Sequence, residues 1–226
     1  GDTIEIDNIS FEGVFDGQDN DIKGVYINKG VVFHQAIFAS SNGVIQNVDV
    51  VDSYIHAEGK YVAGLVGLNA GNVINCNNMS TISGGEYWYS VAGVVGQSIG
   101  GNIENCTNNG NIKGSNGLSG VVGPAKNTQI INCSNTKNIE GVTRVCGVIE
   151  SATNCQVINC TNSGNLSATG TGVQGIVLSV TDSQVINCTN YGELYANVHE
   201  VNGIAQVVTN SIIRNCTNYG NISSIR

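Results

Sequence analysis

Asn105-Cys106-Thr107-Asn108 is a four-residue phrase that returns five more times along the chain. It recurs as Asn75-Cys76-Asn77-Asn78, Asn132-Cys133-Ser134-Asn135, Asn159-Cys160-Thr161-Asn162, Asn187-Cys188-Thr189-Asn190 and Asn215-Cys216-Thr217-Asn218. The cysteines are 30, 27, 27, 28 and 28 residues apart. A period of that size marks one supersecondary unit stacked on the next, not a string of separate domains.

Working outward from the phrase, each unit shows three apolar segments. An aliphatic residue stands two places before each asparagine (Val73, Ile103, Ile130, Val157, Val185, Ile213), and another seven places after it (Ile82, Ile112, Ile139, Leu166, Leu194, Ile222). The third segment pairs a glycine with two aliphatics, as in Gly64-Leu65-Val66, Gly93-Val94-Val95 and Gly120-Val121-Val122. Three short strands per 27 to 30 residues predict an all-β fold, a parallel β-helix of about eight coils. Parallel crossovers are nearly always right-handed, so a right-handed solenoid is expected. Residues 1–35 read as an atypical capping coil and 36–226 as seven repeat coils. The last coil is cut part-way at Arg226, which predicts either further domains of the same polypeptide or another molecule over the open end.

Stacking at about 4.8 Å per coil aligns Asn75, Asn105, Asn132, Asn159, Asn187 and Asn215, preceded by Asn47, into an expected internal amide ladder. Asn78, Asn108, Asn135, Asn162, Asn190 and Asn218 offer a second ladder. Asn-Cys-Thr also matches the glycosylation acceptor pattern, but an inward-facing asparagine is closed to a glycan. Six of the eight cysteines (Cys76, Cys106, Cys133, Cys160, Cys188, Cys216) fall on one rung position. Their Cβ atoms would point in parallel, a poor geometry for disulfides, so they are expected to pack as buried free thiols. Cys146 and Cys155 sit off that column and are open to either a pairing across a turn or the free state.

The composition limits function. A net charge of −8, 30 glycines, one proline and 12% charged residues describe a turn-rich β protein without a basic patch, which argues against nucleic acid or an anionic membrane as partner. No apolar run is long enough to span a bilayer.

Ala63-Gly64-Leu65-Val66-Gly67 with Val73-Ile74-Asn75-Cys76, and Ala92-Gly93-Val94-Val95-Gly96 with Ile103-Glu104-Asn105-Cys106, resemble the GLUG-type repeats of large bacterial surface proteins. Phe11-Glu12-Gly13-Val14-Phe15-Asp16-Gly17 is similar to the phrase that often precedes them. The later coils drift, with Glu150, Leu178 and Gln206 in place of the second glycine. The resemblance implies a right-handed β-helix in an exported protein, extracellular or on the cell surface, commonly adhesive. Similar repeats accompany some immunoglobulin-cleaving metallopeptidases, but this chain has no His-Glu-x-x-His, so no peptidase activity follows.

Candidate sites are few. Tyr54, His56 and Tyr61 in one coil and Tyr87, Trp88 and Tyr89 in the next are expected to meet on one corner. There they either stack on sugar rings or cover the corner itself. Asp16, Asp19 and Asp21 lie in one short loop with two amide side chains and could ligate calcium, though a solvated acidic turn is the simpler reading. No catalytic residue is assigned. Asp49 and Asp52 beside Tyr54 and His56 are the best acid-base candidates, and the other carboxylates look scattered. The expected function is therefore a non-catalytic module for adhesion or glycan contact, with a glycan or a host or cell-surface protein as partner. A polysaccharide lyase or hydrolase, and a passive stalk, are the alternatives.

Overall fold

The computed structural model describes residues 10–85 and 90–225. Within them every regular element is a strand, every strand pairing is parallel, and the chain winds through about eight turns of a β-solenoid. One face is an eight-stranded sheet running from Ser10–Phe11 through Val66–Asn69, Val95–Ser98, Val122–Lys126 and Ile149–Thr153 to Ala205–Thr209. A second is six-stranded, from Val62–Ala63 to Val201–Asn202. The third sheet bends around the Asn-Cys corner; in the early coils single strands, Val44–Ala57 and Asn72–Gly84, run through the bend. No helix among the described residues is long and apolar enough to cross a membrane.

Register follows the repeat. Ile103 pairs with Val73 and Ile130, and Thr107 with Asn77 and Ser134, so equivalent residues stack without slippage. The aliphatic columns predicted from sequence are buried except in the last coil, where Ile213 and Ile222 are exposed, and all eight cysteines are free. The thiols on the repeat column reach backbone carbonyls, as Cys133 Sγ reaches Ile131 O at 3.3 Å. Burial pushes the Cys133, Cys146 and Cys155 thiols up, away from the thiolate.

Both asparagine ladders form, but on opposite sides of the wall. The column from Asn75 to Asn215 is exposed, which corrects the expectation that it is internal. Its members share a left-handed backbone with φ between 53° and 55°, a conformation asparagine tolerates better than most residues. That left-handed residue adds an extra outward position between Ile74 and Cys76, as a bulge would, and strict alternation is lost. Each amide donates toward the preceding coil: Asn132 Nδ2 reaches Asn105 Oδ1 at 3.0 Å and Asn159 Nδ2 reaches Asn132 Oδ1 at 3.1 Å. The first donor, Asn47, ends on Asp16 Oδ1 at 3.0 Å.

The column from Asn78 to Asn190 is the buried one, with Asn218 half-buried at its end. It donates the other way, Asn108 to Asn135 and Asn135 to Asn162, each at 2.8 Å. Each side chain also closes a local turn, as Asn108 Nδ2 does on Gly110 O at 3.1 Å. This ladder explains the first glycine of the repeat. A Cβ on Gly120 would meet the side chain of Asn135 and the carbonyl of Gly147, and Gly64, Gly93, Gly147 and Gly175 are equally confined. The glycine column and the asparagine column thus meet across the interior, at the seam between two stacks of aliphatic residues.

Candidate functional site

A second corner of the solenoid carries the departures from the repeat. His34, Tyr61, Gly117, Arg144, Gly172 and Glu200 occupy equivalent places there, all left-handed, with φ between 56° and 84°. Tyr61, Arg144 and Glu200 hold this conformation despite their Cβ atoms, at a cost of roughly 1 kcal/mol each. In the early coils the second glycine of the repeat lets this corner pack down. A Cβ on Gly67 would strike the carbonyl of His34, and one on Gly96 the carbonyl of Tyr61. The next equivalent position is Gly123, and one coil later it becomes Glu150. There a side chain fills the corner, on a surface that carries a groove.

The groove has two connected parts. A cavity of about 250 Å³ is lined by Lys60, Tyr61, Ser90, Asn116, Arg144 and Glu150 among others. A second, about 420 Å³, shares Asn116 and Arg144 and continues past Leu178, Glu200 and Gln206. From the rung of Lys60 and Tyr61 to that of Glu200 is five coil steps, roughly 24 Å at the usual strand spacing.

At its centre Arg144 Nη2 pairs with Glu150 Oε1 at 3.2 Å. Glu150 is 6% exposed, whereas the Arg144 side chain is 40% exposed and faces solvent. Glu150 Oε2 is buried with no hydrogen-bond partner, and so is Ser90 Oγ, another lining residue. Burial raises the Glu150 carboxyl above its ordinary value; the guanidinium, and the Ser90 hydroxyl that lies close by outside bonding geometry, only partly offset this. A buried acceptor is usually satisfied, so Oε2 is open to a donor, either the neighbouring Ser90 hydroxyl or a molecule in the groove. Behind it, Gln174 donates to Gln206 Oε1 at 3.0 Å and accepts from Cys146 Sγ at 3.7 Å. Cys146, off the cysteine ladder, and Glu150 and Gln206, off the glycine column, thus converge on one wall.

The residues singled out from sequence fall in several places. Tyr61 lines the groove and stacks on His34 with ring centroids 5.0 Å apart, while His34 Nε2 meets Gln97 Oε1 at 3.1 Å. Tyr54 and His56 lie on the third sheet, where Tyr54 stacks on Tyr26 at 5.5 Å and on His56 at 6.3 Å. His56 Nε2 faces Glu58 Oε1 at 3.2 Å. Tyr87, Trp88 and Tyr89 lie outside the described residues. Asp16 is committed to amide donors: Asn47 and the Gln18 backbone on Oδ1, Gln46 on Oδ2. Among the described residues no three His, Cys, Asp or Glu side chains are grouped to hold a metal, Asp16, Asp19 and Asp21 included. Asp49 accepts from Asn77 at 2.7 Å and Asp52 pairs with Lys23 at 2.9 Å, so both acid-base candidates are occupied. In the sequence Arg144 and Glu150 read as scattered singletons. The signal that marks the place is Glu150 itself, standing where a glycine belongs.

Comparison with known proteins agrees with this architecture. The family model described as the GLUG motif matches residues 89–113, and the chain carries a GLUG-type repeat there. A crystal structure from Bacteroides ovatus, provisionally described as an immunoglobulin A1 protease, superposes with a TM-score of 0.60 over 88% of this chain and 68% of that one, at 15% identity. At that identity the likeness is one of fold. No curated protein matches the chain.

Proposed function

We propose that this chain is a non-catalytic recognition module of an exported bacterial protein and that it contacts a glycan in the corner groove. The observation that carries the reading is Glu150, a groove-lining residue whose Oε2 is a buried acceptor without a donor and whose Oε1 is paired with a part-exposed guanidinium. Sugar hydroxyls both donate and accept, so one ring can fill Glu150 and bond Arg144 together, with Tyr61 beside it as a flat apolar surface. The GLUG-type repeat supports an extracellular or cell-surface setting.

A second reading rests on the same carboxyl. Burial raises the Glu150 carboxyl above its ordinary value, the direction in which a general acid of a polysaccharide-cleaving enzyme is shifted. One assay separates the two. The protein is incubated with a polysaccharide panel, and both retention and newly formed chain ends are recorded. Retention that vanishes in Arg144→Ala and Glu150→Gln, with no new ends, is expected. Cleavage abolished by Glu150→Gln would overturn the non-catalytic reading, and silence in both channels would leave a stalk or a protein-binding module.

A further inference from the structure

The charges around the groove narrow the ligand. We propose that the cavity between Lys60, Tyr61, Arg144 and Glu150 binds an acidic sugar residue, its carboxylate facing Lys60 and Arg144 and a neighbouring ring hydroxyl donating to Glu150 Oε2. This rests on the reading of the groove as a glycan site and adds the chemical class.

Among the described residues two cations and one anion line this cavity, a net positive lining in a chain whose net charge is −8. Arg144 spends one nitrogen on Glu150 Oε1. A guanidinium carries five donors in a planar fork, and 40% of the Arg144 side chain is exposed. Lys60 lines the same cavity. An anionic oxygen is the partner that suits both, because charge-assisted bonds to carboxylates are the strongest either makes.

Glu150 sets the second requirement. Ionised, it only accepts, so its free oxygen needs a donor. A simple carboxylate ligand brings no donor. A neutral sugar fills Glu150 but leaves Lys60 and the outer face of Arg144 to water. A hexuronic acid at the non-reducing end of a chain carries its carboxylate next to a ring carbon with a free hydroxyl, and that one terminal residue answers both demands. Tyr61, fixed by its stack on His34, gives the ring a face to lie against.

The test is calorimetric titration of the chain with trimers of galacturonate and of mannuronate, against neutral trimers of glucose and mannose and against acetate. At least one uronate trimer is expected to bind tenfold or more tightly than either neutral trimer, with acetate silent. Lys60→Met, a surface change, should reduce uronate affinity to near that of the neutral trimers. Glu150→Gln, checked for folding by its thermal midpoint, should weaken both. Neutral and acidic trimers binding equally would overturn the acidic class while leaving the glycan site standing. Binding by neither would overturn both, and binding by acetate alone would show a bare anion site.

Discussion

The two asparagine ladders have the same period and the same chemistry, yet they should differ several-fold in energetic weight. Asn135 belongs to the inner column and is fully buried. It donates to Asn162 Oδ1 at 2.8 Å and Lys137 O at 2.7 Å, and it accepts from Asn108 at 2.8 Å. Asn135→Ala takes the donor from Asn162 Oδ1 and one of two acceptors from Asn108 Nδ2, both in the dry interior. At about 2 kcal/mol for each buried group left unmade, the cost is about 4 kcal/mol. Lys137 O is on an exposed residue and turns to water. Asn132, three residues away, belongs to the outer column and is exposed. Its loss frees Asn105 Oδ1 and Asn159 Nδ2, which water satisfies, so Asn132→Ala should cost about 1 kcal/mol, mainly for an alanine Cβ in a left-handed backbone. Asn132→Gly removes that penalty and should lie within a few tenths of the parent, about 0.5 kcal/mol at most. Urea unfolding of the three variants measures the ordering. Amide exchange should place the Asn135→Ala loss in the neighbouring coils, because contacts in a solenoid are nearest-neighbour. Equal costs for Asn132→Ala and Asn135→Ala, or a cost below about 1 kcal/mol for the latter, would refute the assignment of weight by burial.

Gly120→Ala should destabilise by about 2 kcal/mol or more, since its Cβ would meet both Asn135 and the Gly147 carbonyl; thermal unfolding reads this directly. Titration with a thiol reagent should label Cys216 first, as it is the one half-buried cysteine, and reach the other seven only on unfolding. Asp16 is held below the usual carboxylate range, first by the Gln18 backbone amide and then by the side-chain amides of Asn47 and Gln46. Its contribution to stability is present above the unfolded-state value and is lost as pH falls through the folded one, so the gap in unfolding midpoint between the parent and Asp16→Ala should narrow in strong acid. Glu150 has the opposite sign. Its raised folded value favours the fold at low pH and costs stability as pH rises through it, so Glu150→Gln should gain on the parent in melting temperature between acidic and neutral pH.

The fold was legible because its period is written in residue types that only stacking explains. Asparagine, cysteine and isoleucine recur at one spacing, and each then occupies a column. What was not legible is which side of the wall a column faces. Alternation places Asn75 inside, since Val73 is inside and Ile74 outside, but a single left-handed residue resets the count, and backbone conformation of that kind is not encoded by asparagine alone. The same limit hides the groove. Arg144 and Glu150 are six residues apart across a left-handed corner, and no strand or helix spacing brings them together. Yet the repeat itself supplies the missing evidence. Gly67, Gly96 and Gly123 show that this place in the coil has no room for a side chain while the corner is packed down. A glutamate at the next equivalent position therefore requires the corner to open, and a chain that opens its wall around a buried carboxylate accepts a stability cost that packing does not repay. In a repeat protein the residues that hold the stack together are the ones that recur, and the residues that meet a ligand are sought where recurrence fails.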